Sequence, residues 1–322
     1  MRILTGVEVE ALLEPKALVE AVATALAELS AGRASAPPRI GVSSGSGLLA
    51  AMVGAVPSLD VLAAKLVSVF PGNEGTALPT HQAAVLIFDP DTGAPLALLD
   101  GGAITAHRTA AVSALATRLL SRPDARVLAL LGTGVQAASH LRYVGRERRF
   151  EEVRVGSRDP SRARAFVERM AKTTGPSLVA CGSYAEALRG ADVVCAATHA
   201  DAPAVHGALL APGAHVNSVG FGGKGQELAA DVFTGGLVAV ESRAAAFAPM
   251  PVGAADLRGA ADPALAVELG ELVAGTRAGR TSPEQRTVYK SVGIAVEDAA
   301  AAALVLARAL REKVGREVSL QG

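Results

Sequence analysis

Aromatic residues are scarce in this chain of 322 residues: they make up 3% of it, and tryptophan is absent. The core must therefore consist mainly of alanine, valine and leucine, which disfavours a specialised aromatic pocket. Acidic and basic residues balance at 31 each, and a net charge of zero argues against electrostatic binding of nucleic acids or membranes. The longest apolar runs are too short to span a bilayer. They are interrupted by Asp60, Lys65, Glu297 or Asp298.

Cysteine is equally scarce. The two cysteines, Cys181 and Cys195, form no C-x-x-C pair, which fits a reducing cytosol better than a disulfide scaffold. The N-terminus lacks the apolar core of a secretory signal, so we expect a cytoplasmic protein. The six histidines show no metal-ligand spacing, and we predict no metal site. There is no G-x-S-x-G motif, and neither cysteine has the context of a nucleophile.

The first part of the chain is predicted to be rich in antiparallel strands. Residues 14–31 have the periodicity of an amphipathic helix, with Pro15 in its first turn. A turn at 89–93 is expected to close a hairpin, and residues 103–120 look helical. The predicted strands are 48–56, 63–69, 83–88 and 96–100.

From residue 126 onward, the pattern changes to alternating strands and helices, which predicts a doubly wound parallel sheet. The predicted strands are 126–131, 153–156, 178–181, 193–197, 215–219 and 238–241. Helices are predicted at 135–144, from Asp159-Pro160 onward, and at 183–188. An alanine-rich final helix, roughly 292–313, is expected to return to the first domain. The predicted fold is α/β, with a Rossmann-type domain at 121–293 and a strand-rich α+β domain at 1–120 and 294–322.

A glycine motif follows the first strand of this second region and fits the pattern G-x-G-x-x-A. Its residues are Gly132, Thr133, Gly134, Val135, Gln136 and Ala137. In a dinucleotide site, the first glycine permits the tight turn and the second lets the backbone approach a pyrophosphate. The alanine keeps the helix close to the strand, and the helix N-terminus faces the anion. The alternative is an ordinary strand-to-helix turn, but the apolar strand before the motif favours the dinucleotide.

The end of the second strand predicts which dinucleotide is bound. An NAD site is expected to place a carboxylate there for the ribose hydroxyl, whereas this chain has Ser157-Arg158. Arginine suits a 2′-phosphate, so NADP(H) is favoured and NAD(H) is a second possibility. Asp159 precedes Pro160, which gives that acid a helix-capping role. The alternative for Arg158 is a solvated surface charge.

Three basic residues, Arg39, Lys65 and Arg108, lie among apolar or small neighbours. A buried lysine in such a setting needs a partner or a ligand. Two arginines and a lysine can form a pocket for a carboxylate. From spacing alone, however, charged side chains that reach solvent are the more common explanation. Asp231 is similarly undistinguished and could cap a helix.

These segments resemble the ornithine cyclodeaminase/mu-crystallin family, and within it the mu-crystallin branch, over essentially the whole chain. The matching stretches are residues 80–83, 100–101, 104–117, 132–140, 152–155, 217–220 and 287–293. The arginine segment at 104–117 is specific to the family, whereas the glycine turn is not. The resemblance implies a substrate and dimerisation domain, a Rossmann domain, and hydride exchange at a carbon that bears nitrogen next to a carboxylate.

The resemblance also implies roles for individual residues. The substrate-binding positions are Arg39, Lys65, Thr80 and Arg108, and the expected catalytic residues are Asp231 and Lys65. Asp231 would stabilise or deliver the proton on an imine nitrogen. Besides the glycine turn and Ser157-Arg158, the expected cofactor contacts are His81, Arg108, Thr198, Val219 and Ser291.

The favoured function is an NAD(P)H-dependent reductase of cyclic imine carboxylates, such as pyrroline-2-carboxylate or piperideine-2-carboxylate, acting as a homodimer. One alternative is an ornithine or lysine cyclodeaminase, or an alanine dehydrogenase. The cyclodeaminase branch carries a glutamate near Ala50, and this chain has no acid there. Another alternative, from a different class, is an NADP-dependent protein that binds a hydrophobic carboxylate of the thyroid-hormone type.

Overall fold

The computed structural model describes residues 1–171, 175–199, 202–220, 226–250 and 252–320. The chain divides into two compact units. The first contains Met1–Arg108 and Gly293–Gly322, and the second contains Thr109–Val292. The first unit is therefore discontinuous, because the end of the chain returns to it. The roles that we assigned to the two domains stay predictions.

The helices and strands are numbered along the chain. The first stretch contains β1 (Arg2–Leu4), α1 (Gly6–Leu12), α2 (Pro15–Ser30), β2 (Ile40–Ser44), β3 (Gly47–Val56), β4 (Val61–Val69), β5 (His81–Phe88), β6 (Pro95–Asp100) and α3 (Gly101–Leu120). The second contains β7 (Val127–Leu131), α4 (Val135–Val144), β8 (Glu152–Gly156), α5 (Pro160–Met170), β9 (Ser177–Ala180), α6 (Tyr184–Leu188), β10 (Val193–Ala196), β11 (His215–Ser218), β12 (Leu237–Val240), α7 (Arg243–Ala246), β13 (Val267–Glu268), α8 (Leu269–Val273) and β14 (Thr287–Lys290). The last stretch contains α9 (Ala295–Glu312) and β15 (Arg316–Glu317).

The sheet of the first unit has the order β15-β1-β6-β5-β4-β3-β2. Strands β3 to β6, which were predicted, pair antiparallel, and the turn after β5 closes the expected hairpin. Strand β2, which pairs antiparallel with β3, was not among the predicted strands. Two short strands on one side of this sheet were also not predicted: β1 runs parallel to β6, and β15, at the edge, runs antiparallel to β1. Strands of two or three residues are too short to show a period. The sheet is therefore mixed.

Helix α9 packs on one face of this sheet. A Cβ added at Gly54 of β3 would lie 3.0 Å from Ala295 of α9, so a larger residue at position 54 would push the helix away. Beyond its first turn, the buried side of α9 is mostly alanine, which allows a similarly close approach. This packing brings the first turn of α9 against the inward-facing side chains of β3 and β4.

The sheet of the second unit has the order β13-β12-β14-β11-β10-β7-β8-β9, and all its pairs are parallel. The predicted α/β class with a doubly wound parallel sheet is confirmed. Strand β14 was not predicted, although it lies inside the sheet. Its four residues include Thr287 and Lys290, so the sequence shows no apolar run there.

Within the described ranges, none of the helices combines the length and apolar character needed to cross a bilayer. The cytoplasmic location stays a prediction.

Candidate functional site

The glycine turn between β7 and α4 has the form that a dinucleotide requires. Gly132 has a φ of 111°, and a Cβ there would lie 2.4 Å from the carbonyl oxygen of Ala197, so glycine is required. Gly134 is the N-cap of α4, and a Cβ on it would meet nothing within 4 Å. Ala137 is buried and keeps α4 close to the sheet. The helix N-terminus is thus free of steric cover and fits an anionic pyrophosphate.

The other predicted cofactor positions of the second unit lie at the same edge of its sheet. Ser157 and Arg158 follow β8, Thr198 follows β10, Val219 follows β11 and Ser291 follows β14. Because parallel strands end at one edge, these residues share an edge with Gly132. The chain first adds β8 and β9 on one side of β7 and then crosses to β10 on the other side. Such a reversal is where dinucleotides bind in open α/β sheets.

The residues after β8 have the arrangement that the sequence predicted. Asp159 caps α5, and its Oδ1 accepts hydrogen bonds from the Ser161 nitrogen at 2.8 Å and the Ser161 hydroxyl at 2.7 Å. These bonds from Ser161 lower the pKa of the Asp159 carboxyl group. Ser157 is buried, whereas Arg158 is exposed. The nearest acid is therefore already hydrogen-bonded to the start of α5, and Arg158 is exposed.

Two of the three predicted cations meet in the first unit. Lys65 lies on the inward face of β4, with its Nζ 2.6 Å from Oδ2 of Asp298. Arg108 on α3 donates from Nε to Oδ1 of Asp298 at 3.1 Å and from Nη1 to Oε2 of Glu297 at 2.5 Å. Both cations are buried, with exposed fractions of 3% and 6%. Asp298 therefore links the lysine to the arginine.

Gly293 brings the third cation to the same place. Arg39 donates from Nη2 to the Gly293 carbonyl oxygen at 3.1 Å. A Cβ on Gly293, which has a φ of 67°, would lie 2.8 Å from both terminal nitrogens of Arg108. The three cations therefore surround the segment 293–298 that leads into α9. We call this group, with Glu297 and Asp298, the cationic cluster.

Burial changes the acidity of Lys65. Desolvation is the largest effect and lowers the pKa of its ammonium group to about 8. The negative charge of Asp298 opposes this shift, while the positive charge of Arg108 adds to it. A lysine with this pKa is charged at neutral pH but can release its proton readily. It therefore has the acidity of a general acid or base.

Glu297 and Asp298 are the site residues that sequence reasoning missed. They occur in the sequence only as interruptions of an alanine-rich run. Two acids that precede a run of apolar residues are nevertheless the same kind of signal that singled out Lys65, because buried charges need partners. Both acids are buried, with exposed fractions of 0% and 1%, at the helix end that favours negative charge.

The structure does not place Thr80 and His81 in the cationic cluster. They lie at the start of β5, and Thr80 Oγ1 is 3.1 Å from His81 Nδ1. In the sheet, Lys65 pairs with Val85, four residues beyond His81, or about 13 Å along the strand.

Asp231 has the contacts of a capping carboxylate. It is exposed in the 3-10 turn Ala230–Val232, and its Oδ2 accepts a hydrogen bond from the Ala208 nitrogen at 3.2 Å. Hydrogen bonds from the backbone of Gly207 and Ala208 lower its pKa. The carboxyl group is therefore ionised at neutral pH and is poorly suited to deliver a proton. Its catalytic role stays a prediction.

Two predicted cofactor positions contact buried carboxylates that the sequence reasoning also missed. The Thr198 hydroxyl donates to Glu227 at 2.7 Å, and the Ser291 hydroxyl donates to Glu241 at 2.6 Å. Within the described ranges, no group of three or more histidine, cysteine or acidic residues could hold a metal ion. The absence of a metal in the working protein stays a prediction.

The fold and these two sites define a class: a two-unit α/β protein with a dinucleotide turn in one unit and a buried cationic cluster in the other. The chain belongs to the ornithine cyclodeaminase/mu-crystallin family, whose profile matches residues 1–313. This confirms the family resemblance seen in the sequence.

Individual relatives are similar over most of the chain. The ketimine reductase mu-crystallin of Mus musculus is 42% identical over 260 residues, which cover 80% of each chain. The structure of Thermococcus litoralis Delta(1)-pyrroline-2-carboxylate reductase in complex with NADH and L-proline is 35% identical, with a TM-score of 0.93 over 99% of this chain and 100% of that chain. An archaeal alanine dehydrogenase dimer with bound NAD is 28% identical, with a TM-score of 0.89 over 99% of both chains.

Proposed function

We propose that this protein is an NAD(P)H-dependent reductase of cyclic imine carboxylates, such as pyrroline-2-carboxylate or piperideine-2-carboxylate, with proline or pipecolate as the product. The observation that carries the proposal is the convergence of Arg39, Lys65 and Arg108 on the start of α9. Among the relatives, the 35% identical enzyme reduces pyrroline-2-carboxylate and was solved with NADH and L-proline.

The charges of the cationic cluster suit one carboxylate. Its three cations and two acids sum to one positive charge, counting Arg39, Lys65, Arg108, Glu297 and Asp298. The acids hold the Lys65 and Arg108 side chains in place, so little further ordering is needed when a substrate binds. The guanidinium groups can then bind a carboxylate through paired hydrogen bonds. This fixes the orientation of the imine carbon next to that carboxylate.

Reduction of an imine adds a proton to nitrogen and a hydride to carbon. A reduced nicotinamide supplies the hydride. In this proposal, Lys65 supplies the proton from Nζ to the imine nitrogen, because a pKa of about 8 leaves its ammonium group protonated at neutral pH yet more acidic than that of an ordinary lysine. Asp298 holds the ammonium group in position. Asp231 is ionised, so we assign it no part in delivering the proton, although it could stabilise a positive charge.

The dinucleotide is NADP(H) in preference to NAD(H). The exposed Arg158 can pair with a 2′-phosphate, and Asp159 is already bonded to α5. An arginine at this position favours the phosphorylated ribose without excluding the free one. NADH therefore stays a weaker alternative cofactor.

The proposal includes a homodimer, which the outer face of the mixed sheet supports. This face presents exposed apolar side chains on three neighbouring strands, namely Ile40, Val42, Leu49, Val53, Leu62 and Leu66. Val42 pairs with Leu49, and Ala51 pairs with Leu66, so the side chains form one continuous patch. A patch of this kind marks an interface, and a second copy of the chain is the simplest occupant. The alanine dehydrogenase relative is a dimer.

Ornithine cyclodeamination is disfavoured by Ala50. Its side chain lies on the inward face of β3, two residues from Met52, which pairs with Lys65. The methyl group offers no charge for the distal amine of ornithine at the position where that branch has a glutamate. Alanine dehydrogenation is distinguished from imine reduction by the choice of substrate.

The test is oxidation of NADPH and NADH with each of the two cyclic imines in turn, measured by nicotinamide absorbance. We expect rapid turnover, with NADPH preferred. Turnover of pyruvate and ammonia instead would indicate an alanine dehydrogenase. Ammonia release from ornithine without a change in absorbance would indicate a cyclodeaminase, and either result would contradict the proposal.

A further inference from the structure

A buried carboxylate, Glu227, holds the ends of two central strands of the parallel sheet. Its Oε1 accepts hydrogen bonds from the Thr198 nitrogen at 2.6 Å and the Thr198 hydroxyl at 2.7 Å, just beyond β10. Its Oε2 accepts bonds from the Ser218 hydroxyl at 2.7 Å and the Gly220 nitrogen at 2.8 Å, at the end of β11. One side chain therefore fixes the distance between the two strand ends.

Glycine is required beside this carboxylate. A Cβ on Gly220 would lie 2.1 Å from Oε1 of Glu227 and 2.4 Å from the Thr198 carbonyl oxygen. The close approach of the two strand ends and the carboxylate thus leaves no room for a side chain. This close packing indicates that the position of the backbone at this edge is tightly constrained, in addition to any balancing of charge there.

Two more ionised side chains keep Glu227 in place. Asp256 Oδ1 accepts hydrogen bonds from the Glu227 nitrogen at 2.6 Å and the Leu228 nitrogen at 2.7 Å. Lys290 is at the end of β14. Its Nζ lies 3.0 Å from Oδ2 of Asp256 and donates a hydrogen bond to the Ser218 hydroxyl oxygen at 2.9 Å. All three ionised groups are buried, with exposed fractions of 3% or less. We call Glu227, Asp256 and Lys290 the anionic network.

The anionic network carries one net negative charge from two carboxylates and one ammonium group. Its strand ends include Thr198 and adjoin Val219, two of the predicted cofactor positions. They lie on the opposite side of β7 from Arg158, which is expected at the adenosine end, and so on the side expected for the nicotinamide. A buried charge acts over a longer distance than one in water, because little solvent screens it. An oxidised nicotinamide ring carries a positive charge, whereas the reduced ring is neutral.

We propose that Glu227 is a positioning residue for the nicotinamide end of the dinucleotide, and that its charge favours binding of the oxidised cofactor over the reduced one. The inference rests on the proposed function, since it requires that a nicotinamide dinucleotide binds at this sheet edge. It adds a residue and an electrostatic preference that the cofactor motif itself does not contain. It also predicts that the oxidised cofactor, which forms when the imine is reduced, dissociates more slowly from the wild type than from a variant without this charge.

The test is calorimetric titration of the purified full-length protein with NADP⁺ and, separately, with NADPH. Glu227→Gln keeps the shape of the side chain but removes the charge and places an amide against backbone donors. We expect the variant to bind NADP⁺ about tenfold more weakly and NADPH about threefold more weakly. The ratio of the two dissociation constants is the decisive readout, because a purely structural role would weaken both forms equally.

Asp192→Asn is the matched control. Asp192 also accepts two backbone hydrogen bonds, from Arg126 and Val127, and pairs with Arg122, but it lies at the opposite, amino-terminal edge of the sheet. We expect it to lower the melting temperature without changing the ratio. Ser218→Ala removes one bond to Glu227 and keeps the charge, so it should weaken both forms by about threefold.

The outcomes separate the inference from the function on which it rests. If the wild-type protein binds neither NADP(H) nor NAD(H), the proposed function fails, and the inference fails with it. If the wild type binds and Glu227→Gln leaves the ratio unchanged, only the inference is overturned. If Glu227→Gln does not fold, unchanged binding by Ser218→Ala would overturn the positioning role.

Discussion

The two units bury ionised groups in opposite balance. The cationic cluster of the first unit combines three cations with two acids, whereas the anionic network of the second combines two acids with one cation. Burying an unpaired charge costs free energy, so most of the charges in the cationic cluster and in the anionic network are balanced by opposite charges within the same group. The one charge left over differs in sign. In our proposals, the positive charge of the first unit matches a substrate carboxylate, and the negative charge of the second matches an oxidised nicotinamide.

The strongest way to break this comparison is Arg108→Ala. The substitution removes a carboxylate ligand and leaves Glu297 and Asp298 without their shared cation. We expect kcat/KM for pyrroline-2-carboxylate to fall at least about 1,000-fold, as for the loss of a buried charged contact. Arg118→Ala is the control on the same helix, since Arg118 pairs with Glu147 and is half-buried. If Arg108→Ala kept the wild-type kcat/KM, the cationic cluster would not be the binding site for the substrate carboxylate.

Lys65→Met should have the next largest effect, lowering kcat about 100-fold through loss of the proton donor. In the wild type, only the protonated lysine can donate, so kcat should decline as the pH rises through about 8. Asp298 raises the pKa of Lys65, so Asp298→Asn should move this decline to lower pH. Rate measurements across this pH range test both points. A decline at the same pH in Lys65→Arg would assign it to another group.

A charge on the outer sheet face should break the dimer. We expect Leu66→Asp to weaken self-association by at least about 30-fold, because each copy would bury an unpaired carboxylate in the interface. Light scattering after size-exclusion chromatography measures this. Leu310→Asp is the control, since Leu310 is also exposed but lies on α9. A wild-type monomer would contradict the proposed interface.

Cofactor preference gives a smaller effect. Arg158→Ser should reduce the preference for NADPH over NADH about tenfold, because it removes the pairing with the 2′-phosphate. The measurement is kcat/KM for each cofactor at saturating imine. Arg169→Ser, at the far end of α5, should leave the preference unchanged. If kcat/KM fell equally with NADPH and NADH, Arg158 would not be the residue that recognises the 2′-phosphate.

The second unit also contains two buried histidines that should weaken it in acid. Desolvation lowers the pKa of His140 to about 4 and that of His215 to about 3. The unfolded chain binds protons to both near pH 6.5 while the folded chain does not, so stability declines as the pH falls below about 6.5.

Each histidine should contribute at most about 1.4 kcal/mol per pH unit until its folded pKa is reached. Thermal unfolding between neutral pH and pH 5 measures this effect. His140→Gln should remove the contribution of one histidine to the pH dependence of the free energy of unfolding. His206→Gln, at an exposed position, should leave that dependence unchanged. An unchanged slope in His140→Gln would contradict the assignment.

Local signals predicted much of the fold. Asp159 before Pro160 marked the start of α5, and the apolar pattern gave α4 its observed bounds of Val135–Val144. Strands β1 and β15 were missed, because strands of two or three residues are too short to show a period. The short strand β14 was missed because it contains Thr287 and Lys290.

The candidate site was predictable in part. Arg108 and Lys65 stand out as charges among small or apolar neighbours. Their pairing with Glu297 and Asp298 was not predictable, because it depends on the tertiary fold: 190 residues separate Arg108 from Asp298. Glu227 was missed for the same reason, since the groups that donate hydrogen bonds to its carboxylate come from two separate strand ends. Sequence pattern identifies a buried charge more readily than it identifies the group that balances it.

The most direct test of the central claim compares pyrroline-2-carboxylate with its uncharged carboxamide analogue in the wild type and in Arg108→Ala. If the cationic cluster binds the carboxylate, the wild type should prefer the acid by at least about 1,000-fold in kcat/KM, and the variant should lose most of that preference. Equal use of the acid and the amide by the wild type would contradict the account.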